Sequence, residues 1–237
     1  MIEIGSYFSN DRLSFLIDSL LGLPMNLRPR LFSFEEHVTD KKNSVDNHIL
    51  FNAFLKEAAS GFFLFSDKLV YQFLIAKDID IRLLIHGAVK DDVILLLRKL
   101  SNCLPEFAYA SNTREYKHRN ILSKHAPYGY ESAKVGNDYQ QYLPGLYWIT
   151  VIPSKLIQRH NIPLEKIRAA AIKSEELTNG VWIFTFFNNP DEWKTYAKSI
   201  DQLCGKIPGI FSIKNVHKDF KNAKTFIETS KVTYAWR

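Results

Sequence analysis

A chain of 237 residues, 46% hydrophobic and 24% charged, is long enough for one large or two small domains and has the balance of a sequence that buries a core. No apolar run reaches the roughly 18 residues of a membrane-spanning helix, and the N-terminal MIEIGSYFSNDRL lacks the regions of a signal peptide, so the expectation is a cytoplasmic protein with no membrane partner. The net charge of +6 is uneven: residues 1–110 carry 12 Lys+Arg against 14 Asp+Glu, and residues 111–237 carry 19 against 11, which predicts a basic face in the second half.

In chain order, Asn10 or Asp11 caps a helix over Arg12–Leu21, with Leu13, Leu16, Ile17 and Leu20 at helical spacing and Gly22 and Pro24 at its end. Leu27–Glu36 reads as a strand. A polar connection leads to a helix over Asn47–Ala59. Strands follow at Phe62–Phe65, Val70–Ala76 and Ile81–Ile85, and then an amphipathic helix at Asp91–Asn102 with acids first and bases last. Pro105–Gln141 is rich in tyrosine. Arg114–Ser123 reads as helical within it, and Ala126–Asp138, with Pro127, Gly129 and Gly136, reads as a long loop.

The second half is built around LPGLYWITVI. Pro144-Gly145 makes a turn, and Leu146–Ile152 reads as a central strand covered on both faces, with Pro153 closing it. Helices at Ser154–His160 and Leu164–Ala171 precede a strand at Val181–Phe187 and an amphipathic helix at Asp191–Cys204. Phe211–Ile213 is a last short strand, and the basic tail forms a helix packed by Phe220 and Phe226. Trp148 and Trp182 are expected to be buried on adjacent strands. The fold class is therefore α+β: a mostly antiparallel sheet with helices on one face, in two similar βα halves of one domain. The halves run over 1–105 and 142–237, with 106–141 as a tyrosine-rich connection.

The chemistry is read by elimination. There is no P-loop, GxGxxG, C-x-x-C, H-E-x-x-H or G-x-S-x-G pattern. His118 and His125 are seven apart, with Pro127 against a helix that long. The acid pairs Asp78/Asp80 and Asp91/Asp92 are explained by capping and solvation. Cys103 and Cys204 read as buried reduced thiols rather than a disulfide. No catalytic, cofactor-binding or metal-ligating residue is assigned, and no cofactor is implied. The basic second half, with its interleaved aromatics, fits a nucleic-acid surface, but no RRM, KH or zinc-finger pattern accompanies it.

Three stretches carry a resemblance: GFFLFSDK at 61–68, FAYA at 107–110 with EYKHRN at 115–120, and YLPGLYW at 142–148. In this order and spacing, over roughly Gly61 to Trp193, the chain resembles the immunity proteins of bacterial polymorphic and type VI secretion toxin systems. It resembles in particular the families paired with restriction-endonuclease-fold toxins. The resemblance implies an antitoxin that is no enzyme and that binds and neutralises a cognate secreted toxin in the producing cell. Nuclease-directed immunity proteins are often acidic, whereas this chain has a pI of about 9.1. Either the acidic first half makes the contact or the toxin is not a nuclease. An inhibitor needs aromatic anchors ringed by charge, and the Tyr109–Tyr139 segment combines them. Tyr128, Tyr130 and Glu131 are therefore predicted on the toxin-binding face, with Arg114 and Arg119 as rim charges. The runner-up partner is nucleic acid, met by the basic C-terminal half.

Overall fold

The computed structural model describes residues 1–37, 42–76, 80–126, 129–177 and 179–236. Three residues singled out above, Asp78, Pro127 and Tyr128, lie outside them. The chain forms two compact units, Met1–Ala110 and Ser111–Arg237. The boundary falls where the charge changes sign. The stretch expected to connect two halves therefore belongs mostly to the second unit.

The first unit contains β1 (Ile2–Phe8), α1 (Leu13–Leu21), β2 (Leu31–Ser33), α2 (His48–Glu57), β3 (Gly61–Phe65), β4 (Val70–Ile75), β5 (Ile81–His86) and α3 (Lys90–Asn102). Its strands are antiparallel in the order β1-β5-β4-β3-β2. Burial alternates along β3, and on β4 Tyr71 and Phe73 are buried; Phe62 faces Phe73 with the rings stacked at 4.3 Å. The expected strand over Leu27–Glu36 shrinks to β2, because Leu27 and Arg28 turn back onto the carbonyl of Pro24. The sequence reading passed over β1. Its Gly5 interrupts the apolar pattern because a Cβ there would stand 2.5 Å from the ring of Tyr109. That tyrosine lies on a further strand, β6 (Phe107–Asn112), and its hydroxyl donates to Glu3 at 2.7 Å. Helix α3 has Asp91 and Asp92 in its first turn and Lys99 in its last, and it buries Val93, Leu96, Leu97 and Leu100 against α1 and β1.

The second unit contains α4 (Thr113–Asn120), β7 (Ile121–Ala126), β8 (Gly129–Lys134), β9 (Ile149–Pro153), α5 (Ser154–Arg159), α6 (Leu164–Ala170), β10 (Lys173–Glu176), β11 (Val181–Thr185), α7 (Trp193–Lys206), α8 (Ile213–Asn222) and α9 (Phe226–Tyr234). β10, β11 and β9 make an antiparallel sheet, and β7 and β8 pair separately. The stretch expected as a loop over Ala126–Asp138 thus holds a strand, β8, which its glycines had disguised. Every residue of β9 is buried. The strand starts at Ile149 rather than Leu146 because the Thr150 hydroxyl accepts the N–H of Tyr147 at 2.9 Å and bends the chain there. Gly145 stands at φ +136°, a conformation that favours glycine.

The tail also departs from expectation. Leu143 bridges Ile210, but Ile213 already begins α8, so Phe211–Ile213 is no strand. A capping box of Thr225 and Glu228 then starts a second helix, α9. Phe220 is fully buried with Leu122, Val135, Tyr142, Phe211 and Val216, whereas Phe226 is 68% exposed.

Trp148 is 2% exposed, and its indole N–H donates to the Phe187 carbonyl at 2.8 Å. Trp182 lies on β11 opposite Ile152 and is only half-buried, with the Arg168 guanidinium 5.4 Å from its ring. Trp148→Ala is expected to cost about 3–5 kcal/mol, and Trp182→Ala less, because the exposed side of its ring can be solvated after truncation. Urea unfolding of the two variants, compared with wild type, measures both.

Candidate functional site

Helix α4 is a two-faced element. Asn112 caps it by accepting the N–H of Arg114 at 2.9 Å, and the Asn112 amide donates to Asp191 at 2.8 Å. Glu115 and Arg119, one turn apart, point inward. Arg114, Lys117 and His118 point outward. The 3.6-residue period alone sends these two sets to opposite sides.

The inward face forms a buried ionic network. The Arg119 guanidinium donates from Nε to Glu115 at 3.2 Å and from Nη1 to Asp201 of α7. The other Glu115 oxygen accepts the backbone N–H of Trp148 at 3.3 Å. His118 Nε2 lies 3.0 Å from the second Asp201 oxygen. One guanidinium thus serves two carboxylates, and His118 supplies a second positive charge when protonated. Burial pushes the Glu115 carboxyl up to about 7, against the pull of Arg119. Burial also pushes Asp201 upward, but His118 and Arg119 outweigh it and hold that carboxyl below the usual aspartate range. Two of the quoted stretches, EYKHRN and YLPGLYW, are joined here. Beside the Glu115–Trp148 bond, the Tyr147 hydroxyl donates to the Asn120 side chain at 2.8 Å.

The outward face of α4 borders an open cleft of about 690 Å³. β7 and Tyr130 of β8 line one part of it, Trp193 and Asp201 of α7 another, and Ile213, Lys214 and His217 of α8 the rest. Trp193 is 9% exposed, with the His118 ring 5.4 Å from its own. Tyr130 stands 66% exposed and packs edge-on against His125 at 5.5 Å.

Of the residues expected at an interface, Tyr130 and Arg114 meet at this cleft. Arg119 does not. It was expected at the rim, but its side chain is 5% exposed, and its charge is spent on Glu115 and Asp201. Glu131 was expected on the binding face and is instead a structural partner. It lies across from Lys124 in the β7–β8 pair, 3.5 Å from its ammonium, and accepts from the Thr229 hydroxyl at 3.1 Å. That ammonium also donates to the carbonyls of Phe220 and Ala223 at 2.9 and 2.7 Å, where it caps the C-terminal end of α8. Sequence reasoning missed Lys117, Trp193, Lys214 and His217. The spacing of Arg114, Lys117, His118 and Ile121 held a signal for the first of these. The rest come from helices distant in sequence.

Among the described residues no group of three His, Cys, Asp or Glu is placed to hold a metal ion, and no helix is long and apolar enough to cross a membrane. Cys103 and Cys204 are free and buried. Comparison with family models, curated proteins and solved structures returns no match.

Removing the guanidinium would take the cation from the buried Glu115 carboxyl and leave Asp201 to His118. Arg119→Leu is therefore expected to destabilise the second unit by about 3–5 kcal/mol; an unchanged melting temperature would return Arg119 to the surface. Because the Asp201 pKa is lowered on folding, the associated stability is present above the unfolded aspartate value and is lost as the pH falls through the folded one. Thermal melts of Asp201→Asn should thus differ most from wild type near neutral pH, with the gap closing as the pH drops below about 4.

Proposed function

We propose that this protein is a non-catalytic immunity protein that binds a cognate secreted toxin and neutralises it in the producing cell. The observation that carries the reading is the cleft of the second unit. There an exposed tyrosine, Tyr130, and a largely buried tryptophan, Trp193, stand beside Arg114 and Lys117. Tyr, Trp and Arg are the residues in which binding energy between proteins concentrates, above all where aromatics are ringed by charge. The order and spacing of GFFLFSDK, EYKHRN and YLPGLYW support the same reading by resemblance. The YLPGLYW element itself is almost wholly buried, from Tyr142 at 7% to Leu146 at 0% exposure. It therefore speaks for a shared core, and the recognition surface is left to α4, β8 and α8.

A second reading is favoured by a specific observation. The second unit carries 19 Lys+Arg against 11 Asp+Glu, and three of those cations line the cleft. Nucleic acid would meet the same surface, with an affinity falling steeply as salt rises.

Co-expression with the coding sequence immediately upstream should rescue cells from the toxicity of that product. Tyr130→Ala should weaken the complex by more than about 1 kcal/mol with the melting temperature unchanged. A harmless upstream product, or failed rescue by folded protein, removes the immunity reading. Full affinity in Tyr130→Ala moves the interface away from the cleft.

A further inference from the structure

The cleft is not electrically balanced. Arg114 and Lys117 enter it from α4 and Lys214 from α8, and all three are exposed. None of the three forms an ion pair with a described residue. The one carboxylate in the lining, Asp201, is already held by both Arg119 and His118, and Lys214 acts on it from a longer range. Three cations thus converge on a concave space whose one carboxylate among the described residues is already shared between Arg119, His118 and Lys214. Covering such a space with an uncharged surface would strip water from the cations without compensation, which is strongly unfavourable.

We propose that this cleft receives an acidic segment of the partner protein, with Asp or Glu carboxylates on Arg114, Lys117 and Lys214 and an apolar side chain between Tyr130 and Trp193. This rests on the reading of the protein as a toxin binder and adds the chemistry of the contact. The cations close around one cavity from two helices, with Ile213 and Leu122 in its lining. That combination suits a short peptide segment of mixed carboxylate and apolar character. A nucleic-acid backbone needs a longer track of charge. The guanidinium of Arg114 can engage a carboxylate through two parallel N–H bonds, while the ammoniums of Lys117 and Lys214 act as point charges on either side.

The test uses the full chain and two probes at matched ionic strength: a short amidated peptide of glutamates around a single phenylalanine, and a single-stranded oligothymidylate. Titration calorimetry should detect the peptide. Lys117→Glu with Lys214→Glu should weaken it by at least about tenfold, as expected for close charge pairs. Arg114→Gln, a milder change at the capped start of α4, should weaken it to a smaller extent, with thermal melts confirming that each variant is folded. Absence of peptide binding, or binding indifferent to these changes, overturns the proposal. Tighter binding of the oligonucleotide, lost in the double variant, overturns it in favour of nucleic acid. The co-expression assay separates the two levels. Rescue by wild type and equally by the double variant overturns the acidic-segment proposal and leaves immunity standing. Failure of wild type to rescue removes the immunity reading, while charge-dependent peptide binding still supports the cleft's chemistry.

Discussion

The second unit depends on Arg119, a guanidinium held between the carboxylates of Glu115 and Asp201 with almost no access to water. A buried cation of this kind is tolerated only where its partners are fixed in place, because desolvation otherwise exceeds the attraction. Here they are fixed by backbone. Glu115 is held by its position on α4 and by the N–H of Trp148, and Asp201 by α7. The network therefore ties α4, α7 and the entrance to β9 into one arrangement. Its strength lies less in net stability than in how costly any rearrangement would be.

The cleft follows from that arrangement. Once Glu115 and Arg119 are drawn inward, the helical period obliges Arg114, Lys117 and His118 to face out. His118 still reaches Asp201, so the buried network and the open surface share one residue pair. On the opposite side Lys124 and Glu131 pin the β7–β8 strands to α8 and α9, which holds Tyr130 at the cleft's edge. Charged residues in this unit thus divide into two populations. Arg119, Glu115, Asp201, Lys124 and Glu131 are paired within the fold; Arg114, Lys117 and Lys214 are exposed in the cleft.

Two of the stretches singled out in the sequence, EYKHRN and YLPGLYW, meet at the first population. EYKHRN supplies Glu115, Arg119 and Asn120, and YLPGLYW supplies the N–H and hydroxyl that bond to them. Such a motif reports a core, in which each side chain has one place to go. A recognition surface leaves no comparable mark, because such a face is selected by its partner and not by the fold.

From the sequence alone the α+β class, the amphipathic helix α3, the β3–β4–β5 strands and the buried β9 were legible, because each is written in local periodicity or in a turn residue such as Gly145. The sequence also named Tyr130 and Arg114, and the fold brings both to the cleft. It could not distinguish Arg114 from Arg119, five residues apart on one helix. Nor could it recognise β1, whose Gly5 makes sense only beside Tyr109, or β8, whose glycine and polar residues resemble a loop until Lys124 is placed opposite Glu131. Those decisions belong to tertiary structure. Whether a charge is exposed or buried depends on whether an opposite charge from a distant element arrives beside it. For Arg119 that charge is Asp201, 82 residues further along the chain, a separation that no local pattern encodes.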